Sequence, residues 1–308
     1  MSDSCYQARV AAREDFIDLR GLRHRILRWG PADAEPIFLL HGFQDCADTF
    51  QFLVDAMPHD RQFIAPDWRG FGGSAQNGGP YWFPDYLADL EAMLDVLSPQ
   101  RAVVLVGHSM GGNVAGLYAG VRPERVSLLV SLEGFGLQRS ESTRAPDRFG
   151  EWLDELRTGP RESFYESPSR LAGYLQRRNP RLPAAHAEFI ARAWTRPRAT
   201  GGFELRFDPW HRLVNPVLYR RDEAEACWRR VRAATLLLVG GKSEYRERLE
   251  QSACGDEIQR FRDCFANLEW QDLPALGHMM HHEDPAAVAA VLQPWLQRHE
   301  SPATISAS

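Results

Sequence analysis

Gly107-His108-Ser109-Met110-Gly111-Gly112 is the stretch of this chain best suited to covalent chemistry. A Gly-x-Ser-x-Gly pattern lies between an apolar run, Ala102–Val106, and a segment with Val114, Leu117, Tyr118 and Val121 at helical spacing. A serine at such a strand-to-helix turn is held in a strained backbone, and its Oγ projects above the sheet. Residues two before and two after must be small, because the turn is tight; Gly107 and Gly111 meet that demand. Gly112 lets the helix approach its neighbours. The helix N-terminus favours negative charge developing at the serine. The chemistry this suits is nucleophilic attack on a carbonyl, through an acyl-enzyme.

A serine hydroxyl is a poor nucleophile at neutral pH and needs a base and an oxyanion site. Of ten histidines, His278 is best placed, in a loop beside Gly277 just after an expected last strand, Leu268–Leu273. A carboxylate must orient that imidazole. Glu244 follows the strand expected at 235–239, and Glu133 follows the one at 126–132; strand-end position favours neither. The oxyanion donors are expected from the backbone N–H groups of Met110 and Phe43, the latter in the loop after Ile37–Leu40. His41 reads as a brace for that loop rather than a base. His281, His282 and Glu283 lack an established metal-ligand spacing, so neither a metal nor a cofactor is expected.

The elements that must position these groups follow in chain order. A hairpin is expected over 14–29, turning at Arg20-Gly21. Strands follow at Ile37–Leu40, Phe63–Ala65, 102–106, 126–132, 235–239 and 268–273, several wholly apolar, as for strands buried on both faces. Helical spacing falls over 45–57, 86–97, the segment after Ser109, roughly 245–264, and 285–297. The alternation implies a parallel sheet. It stops over 135–230, an Arg- and Pro-rich stretch with helical segments at 151–156, 168–175 and 184–193. That stretch reads as a mainly helical cap, because so long a loop without structure would be unusual. The division expected is core over 1–134, cap over 135–230, and core again over 231–308, with a disordered tail from Glu300.

A net charge of -5 gives no case for nucleic-acid or anionic-membrane binding, so the expected partner is a small-molecule substrate. No apolar run reaches transmembrane length, and the first residues do not read as a signal peptide. Five widely spaced cysteines argue against a disulfide framework, and a cytoplasmic setting is expected. The cap is rich in aromatics, Trp152, Phe164, Tyr165, Tyr174, Phe189, Trp194, Phe203, Trp210 and Tyr219 among them, which suggests an apolar pocket.

Leu39-Leu40-His41-Gly42-Phe43 with Asp45, Pro66-Asp67-Trp68-Arg69-Gly70-Phe71-Gly72-Gly73-Ser74, the Ser109 motif, and Gly277-His278 near Pro285 together resemble the α/β-hydrolase superfamily, in its serine-hydrolase branch with a helical cap. The resemblance spans residues 37–298. It implies a mostly parallel eight-stranded α/β sheet flanked by helices, Ser109 as nucleophile, His278 as base, and Phe43 and Met110 as the oxyanion hole. In many relatives the acid is an aspartate a few residues past the strand corresponding to 235–239. This chain has Ser243-Glu244 there, so Glu244 is favoured, with Glu133 the alternative. Dehalogenase and epoxide-hydrolase relatives carry aspartate at the elbow, where this chain has serine. The implied activity is hydrolysis of a small, fairly apolar ester or related acyl compound. A carbon–carbon bond hydrolase, lactonase or thioesterase using the same triad is the alternative, and a catalytically silent binding scaffold stands behind both.

Overall fold

A computed structural model describes residues 5–252 and 256–299. The hairpin forms as expected, β1 (Arg13–Leu19) against β2 (Leu22–Trp29). Its two-residue turn sits at Arg20 and Gly21, both at positive φ, 50° and 81°, the handedness that matches strand twist. Then come β3 (Pro36–Leu40), a short 3₁₀ turn at Ala47–Phe50 leading into α1 (Gln51–Ala56), β4 (Gln62–Pro66), α2 (Phe83–Leu97), β5 (Val103–His108), α3 (Met110–Val121) and β6 (Val126–Leu132).

The chain leaves the sheet for α4 (Ala145–Thr158), β7 (Phe164–Tyr165), α5 (Pro168–Arg178), α6 (Ala184–Trp194), β8 (Thr195–Pro197), β9 (Phe203–Leu205) and α7 (Arg221–Trp228). It returns as β10 (Ala234–Gly240), α8 (Glu244–Glu250), α9 (Glu257–Arg262), β11 (Leu268–Leu273), α10 (Met280–Glu283) and α11 (Pro285–His299). The segment expected as one helix over 245–264 is thus α8 and α9. The tail from Glu300 lies outside the described residues.

Eight strands form one sheet in the order β1-β2-β4-β3-β5-β6-β10-β11. Only the β1–β2 and β2–β4 pairs are antiparallel; β4 through β11 run parallel. Successive residues of the central strands feed opposite cores, the period-2 alternation of a strand. Phe38, Leu40, Leu105, Leu129, Leu237 and Val239 pack with α2, α3, α7, α8 and α9. Ile37, Leu39, Val106, Val130, Leu236 and Leu238 pack with α1 and α11. Both faces are covered, which is why these strands read as unbroken apolar runs.

The cap insertion is helical, as expected, and has two further features. It carries a three-stranded antiparallel sheet, β7-β9-β8, beside its helices. Those strands are too short to show a period. And α7, within the stretch expected as cap, packs against α3 in the core: Trp228 is buried and a Cβ on Gly120 would stand 2.0 Å from the Cys227 carbonyl oxygen. Helices α5 and α6 form a small core of their own with Leu171, Leu182 and Ile190, seated on Phe52 of α1.

Candidate active site

Parallel strands deliver their C-terminal ends to one edge, and the chemical groups gather there. Ser109 follows β5 with φ 50° and ψ -114°, a conformation L-residues rarely adopt. Its N–H donates to the Leu132 carbonyl at 2.9 Å, so the β5–β6 ladder carries on into the turn. The flanking glycines are required by contact. A Cβ on Gly107 would fall 2.5 Å from the Gly111 backbone, and one on Gly111 would fall 2.0 Å from the Leu40 carbonyl oxygen.

His278 follows β11. Its Nε2 lies 3.0 Å from Ser109 Oγ, and its Nδ1 lies 2.6 Å from Glu133 Oε2. Since a carboxylate accepts, Nδ1 carries the proton and Nε2 turns its lone pair to the serine. Glu133 follows β6, also at positive φ, 57°, and its side chain is fully buried. It takes two further donors: the Gly240 N–H at 2.6 Å on Oε1, and the Ser243 hydroxyl at 2.6 Å on Oε2.

The expectation that Glu244 orients His278 is corrected by this geometry. Glu244 opens α8 with a side chain 84% exposed, facing Arg248 at 3.7 Å. Both ring nitrogens of His278 are already taken. The residue of that loop that does reach the site is Ser243, which caps α8 through the Arg246 N–H while donating to Glu133. In sequence it stands out only as a polar residue one place past Gly240-Gly241-Lys242.

The other side of the serine is the loop after β3. Gly42 lies against it; a Cβ there would sit 3.3 Å from Ser109 Cβ. The backbone N–H groups of Phe43 and Met110 hydrogen-bond to no other group among the described residues. His41 holds the loop, as expected of it. Its Nδ1–H donates to the Gly42 carbonyl at 2.8 Å and its Nε2 accepts from the Trp68 N–H at 3.0 Å, while the Trp68 indole returns a bond to the His41 carbonyl.

Two further positions, given no role in the sequence reading, hold the His278 loop. His108 is fully buried, and its Nε2–H donates to the His278 carbonyl at 2.8 Å. Burial, then the nearby His281 and His278, push its pKa well below the ordinary histidine value, so the ring is neutral. Glu283 accepts the Gly277 N–H at 2.7 Å, Asn179 at 2.8 Å and Arg181 at 2.9 Å, tying the His278 loop to the cap. Beneath them, Asp45, His108 and His281 each bring a ligand-type atom within 4.8 Å of the others, as do Cys46, Asp48 and Asp67, and either group could hold a metal ion. Asp45 Oδ2 faces His282 Nε2 at 3.3 Å and His281 Nε2 at 3.8 Å, while His108 Nδ1 and His281 Nδ1 are buried with no hydrogen-bond partner among the described residues. Burial opposes ionisation of Asp45, yet His282 and His281 hold it well below the usual carboxylate range. His281 itself is pushed down to about 4, by burial first and His282 second.

A cleft of about 700 Å³ opens at His278. Leu175, Leu182, Ile190, Trp194 and Tyr245 line it together with Arg177, Arg178, Arg181, Lys242 and Arg248. Of the nine cap aromatics singled out in the sequence, Trp194 lines it; Phe164 lies instead in a separate cleft with Arg212. No helix among the described residues is long and apolar enough to cross a membrane.

The chain belongs to the α/β-hydrolase fold family, whose model matches residues 35–290. A serine hydrolase-like protein of Danio rerio is 28% identical over 91% of this chain and 87% of its own. Serine hydrolase-like protein 2 of Homo sapiens is 26% identical over 90% of this chain and 92% of its own. The solved structure of a hypothetical protein from Pseudomonas aeruginosa PAO1 superposes with a TM-score of 0.80 at 27% identity, covering 92% of this chain and 99% of that one.

Proposed function

We propose that this protein is a serine hydrolase that cleaves an ester or related acyl bond through Ser109, His278 and Glu133. The observation that carries the reading is the unbroken line of hydrogen bonds from Ser109 Oγ through the imidazole to a buried carboxylate. His278 Nε2 takes the Ser109 proton as Oγ attacks the substrate carbonyl. Glu133 stabilises the imidazolium that forms and fixes the tautomer. The oxyanion rests on the Phe43 and Met110 N–H groups, with the positive end of α3 behind it. His278 then protonates the leaving group, which departs as the carbonyl re-forms. Water, deprotonated by the same nitrogen, releases the acid and restores the serine.

The relatives named as serine hydrolase-like support this chemistry. The cleft's size suits a small molecule, since such sites run to roughly 300–1,000 Å³. The test is hydrolysis of p-nitrophenyl esters, acetate to long-chain, by wild type and Ser109→Ala. Turnover by wild type alone supports the reading; equal rates, or none in either, oppose it.

A further inference from the structure

We propose that the acyl substrate carries a strongly anionic group, a phosphate ester or a carboxylate, held in the His278 cleft by Arg177, Arg178 and Lys242. The proposal rests on the hydrolase reading above and adds the substrate class.

Five cationic side chains, Arg177, Arg178, Arg181, Lys242 and Arg248, line this cleft, against two carboxylates, Glu244 and Glu283. Glu283 is consumed internally by Gly277, Asn179 and Arg181. Glu244 faces Arg248. Arg177, Arg178 and Lys242 then have no carboxylate partner among the described residues. Elsewhere the chain pairs many of its surface cations: Arg246 with Glu250 and Asp272, Arg196 with Glu204, Arg122 with Glu91. The molecule as a whole is negative, at -5, so a positive excess at one cleft runs against its average field. A concave site of one sign raises the local concentration of the opposite charge.

Helix chemistry accounts for part of this, since Arg177 and Arg178 end α5, where cations complement the dipole. It does not account for Lys242. That residue, the only lysine in the chain, comes from the loop after β10 and lines the same cleft as the arginines. Two unrelated elements therefore converge on one cleft that His278 also lines. A cleft lined by both apolar and cationic side chains fits an acyl chain that ends in, or leaves with, an anion. On a phosphate-bearing thiol carrier, Ser109 Oγ displaces the thiolate, the C–S bond breaks, His278 protonates sulfur, and water completes the cycle. With a carboxylate on the acyl side the same steps break a C–O bond.

The test uses two matched substrate pairs with the full chain: butyryl-coenzyme A against butyryl-N-acetylcysteamine, and p-nitrophenyl hemiglutarate against p-nitrophenyl butyrate. In at least one pair the charged member should be preferred in kcat/KM by about tenfold at low salt, with the preference fading as ionic strength rises. Replacing Arg177, Arg178 and Lys242 together by alanine should abolish that ratio. The same charge change at Arg101, Arg122 and Arg157 should not. Loss of preference for the coenzyme A member assigns a phosphate carrier; loss for the hemiglutarate assigns a carboxylate. No preference in either pair, or one that survives the triple variant, overturns the proposal. Should no substrate turn over, the hydrolase reading fails, and calorimetric titration with coenzyme A and with glutarate decides the anion site alone. Binding lost in the triple variant supports it, and absence of binding refutes it.

Discussion

Glu133 and Glu244 both stand just past strand ends, and exchanging each for glutamine separates them. Glu133 is buried and accepts from three donors, the Gly240 N–H, the Ser243 hydroxyl and His278 Nδ1–H. A glutamine there keeps one acceptor oxygen and turns an NH₂ against donors. It also removes the charge that balances the imidazolium and the acceptor that fixes its tautomer. Loss of the equivalent carboxylate function in a Ser-His-acid triad costs about 10³–10⁴-fold in kcat, or about 4–5.5 kcal/mol of barrier. Glu244 is 84% exposed and faces only Arg248. Its exchange should leave kcat/KM within about twofold, as for most surface charges. The assay is p-nitrophenyl butyrate hydrolysis, with thermal melting to show that each variant is folded. Ser243→Ala removes one of the three donors while leaving the carboxylate in place, and should cost about tenfold. A large loss in Glu244→Gln with activity retained in Glu133→Gln would refute the assignment.

Other consequences follow from the same geometry. Burial first of all pushes His211 down to about 3 and His281 to about 4, and pushes His108 well below its ordinary value. The unfolded chain therefore protonates these rings first: stability is whole above about pH 6.5 and is lost as pH falls from there toward the folded values, by up to about 1.4 kcal/mol per pH unit per ring. Urea midpoints at pH 7.5 and 5.0 should show the drop, and equal midpoints would count against it. Gly111→Ala must move the Leu40 carbonyl, 2.0 Å from the new Cβ, and should cost several kcal/mol in chemical denaturation, about 2–4; a melting curve like the wild type's would argue against that turn. Glu283→Ala leaves the Gly277 N–H and Asn179 without their acceptor. It should lower stability by about 3 kcal/mol and reduce kcat together with it, whereas a stable variant with wild-type kcat would show that the tie does not position His278.

The local features of this molecule were legible in the chain. The turn at Ser109 needs only a strand, two glycines and a helix in succession, and the hairpin needs only alternation around Arg20-Gly21. The proposed acid, Glu133, stood in the sequence only as the alternative to Glu244, because the choice is made between strands. In the sheet β6 lies beside β10, with Leu132 opposite Leu238, so both glutamates emerge at the same edge. Backbone conformation then divides them: the positive φ at Glu133 turns its side chain under Gly240 and Ser243, while Glu244 begins a helix and points to solvent. Glu283 carries no sequence signal for its contacts, and only the return of Asn179 and Arg181 from the cap gives it its partners. The cap's small sheet escaped notice because strands of two and three residues carry no period.

The central claim is that Ser109 is an activated nucleophile, and labelling with a fluorophosphonate followed by peptide mapping addresses it without any assumption about substrate. The expected result is one adduct, on Ser109, formed by wild type and absent from folded Ser109→Ala and His278→Ala variants. An unlabelled wild type, or an adduct on another residue that persists in Ser109→Ala, would contradict it.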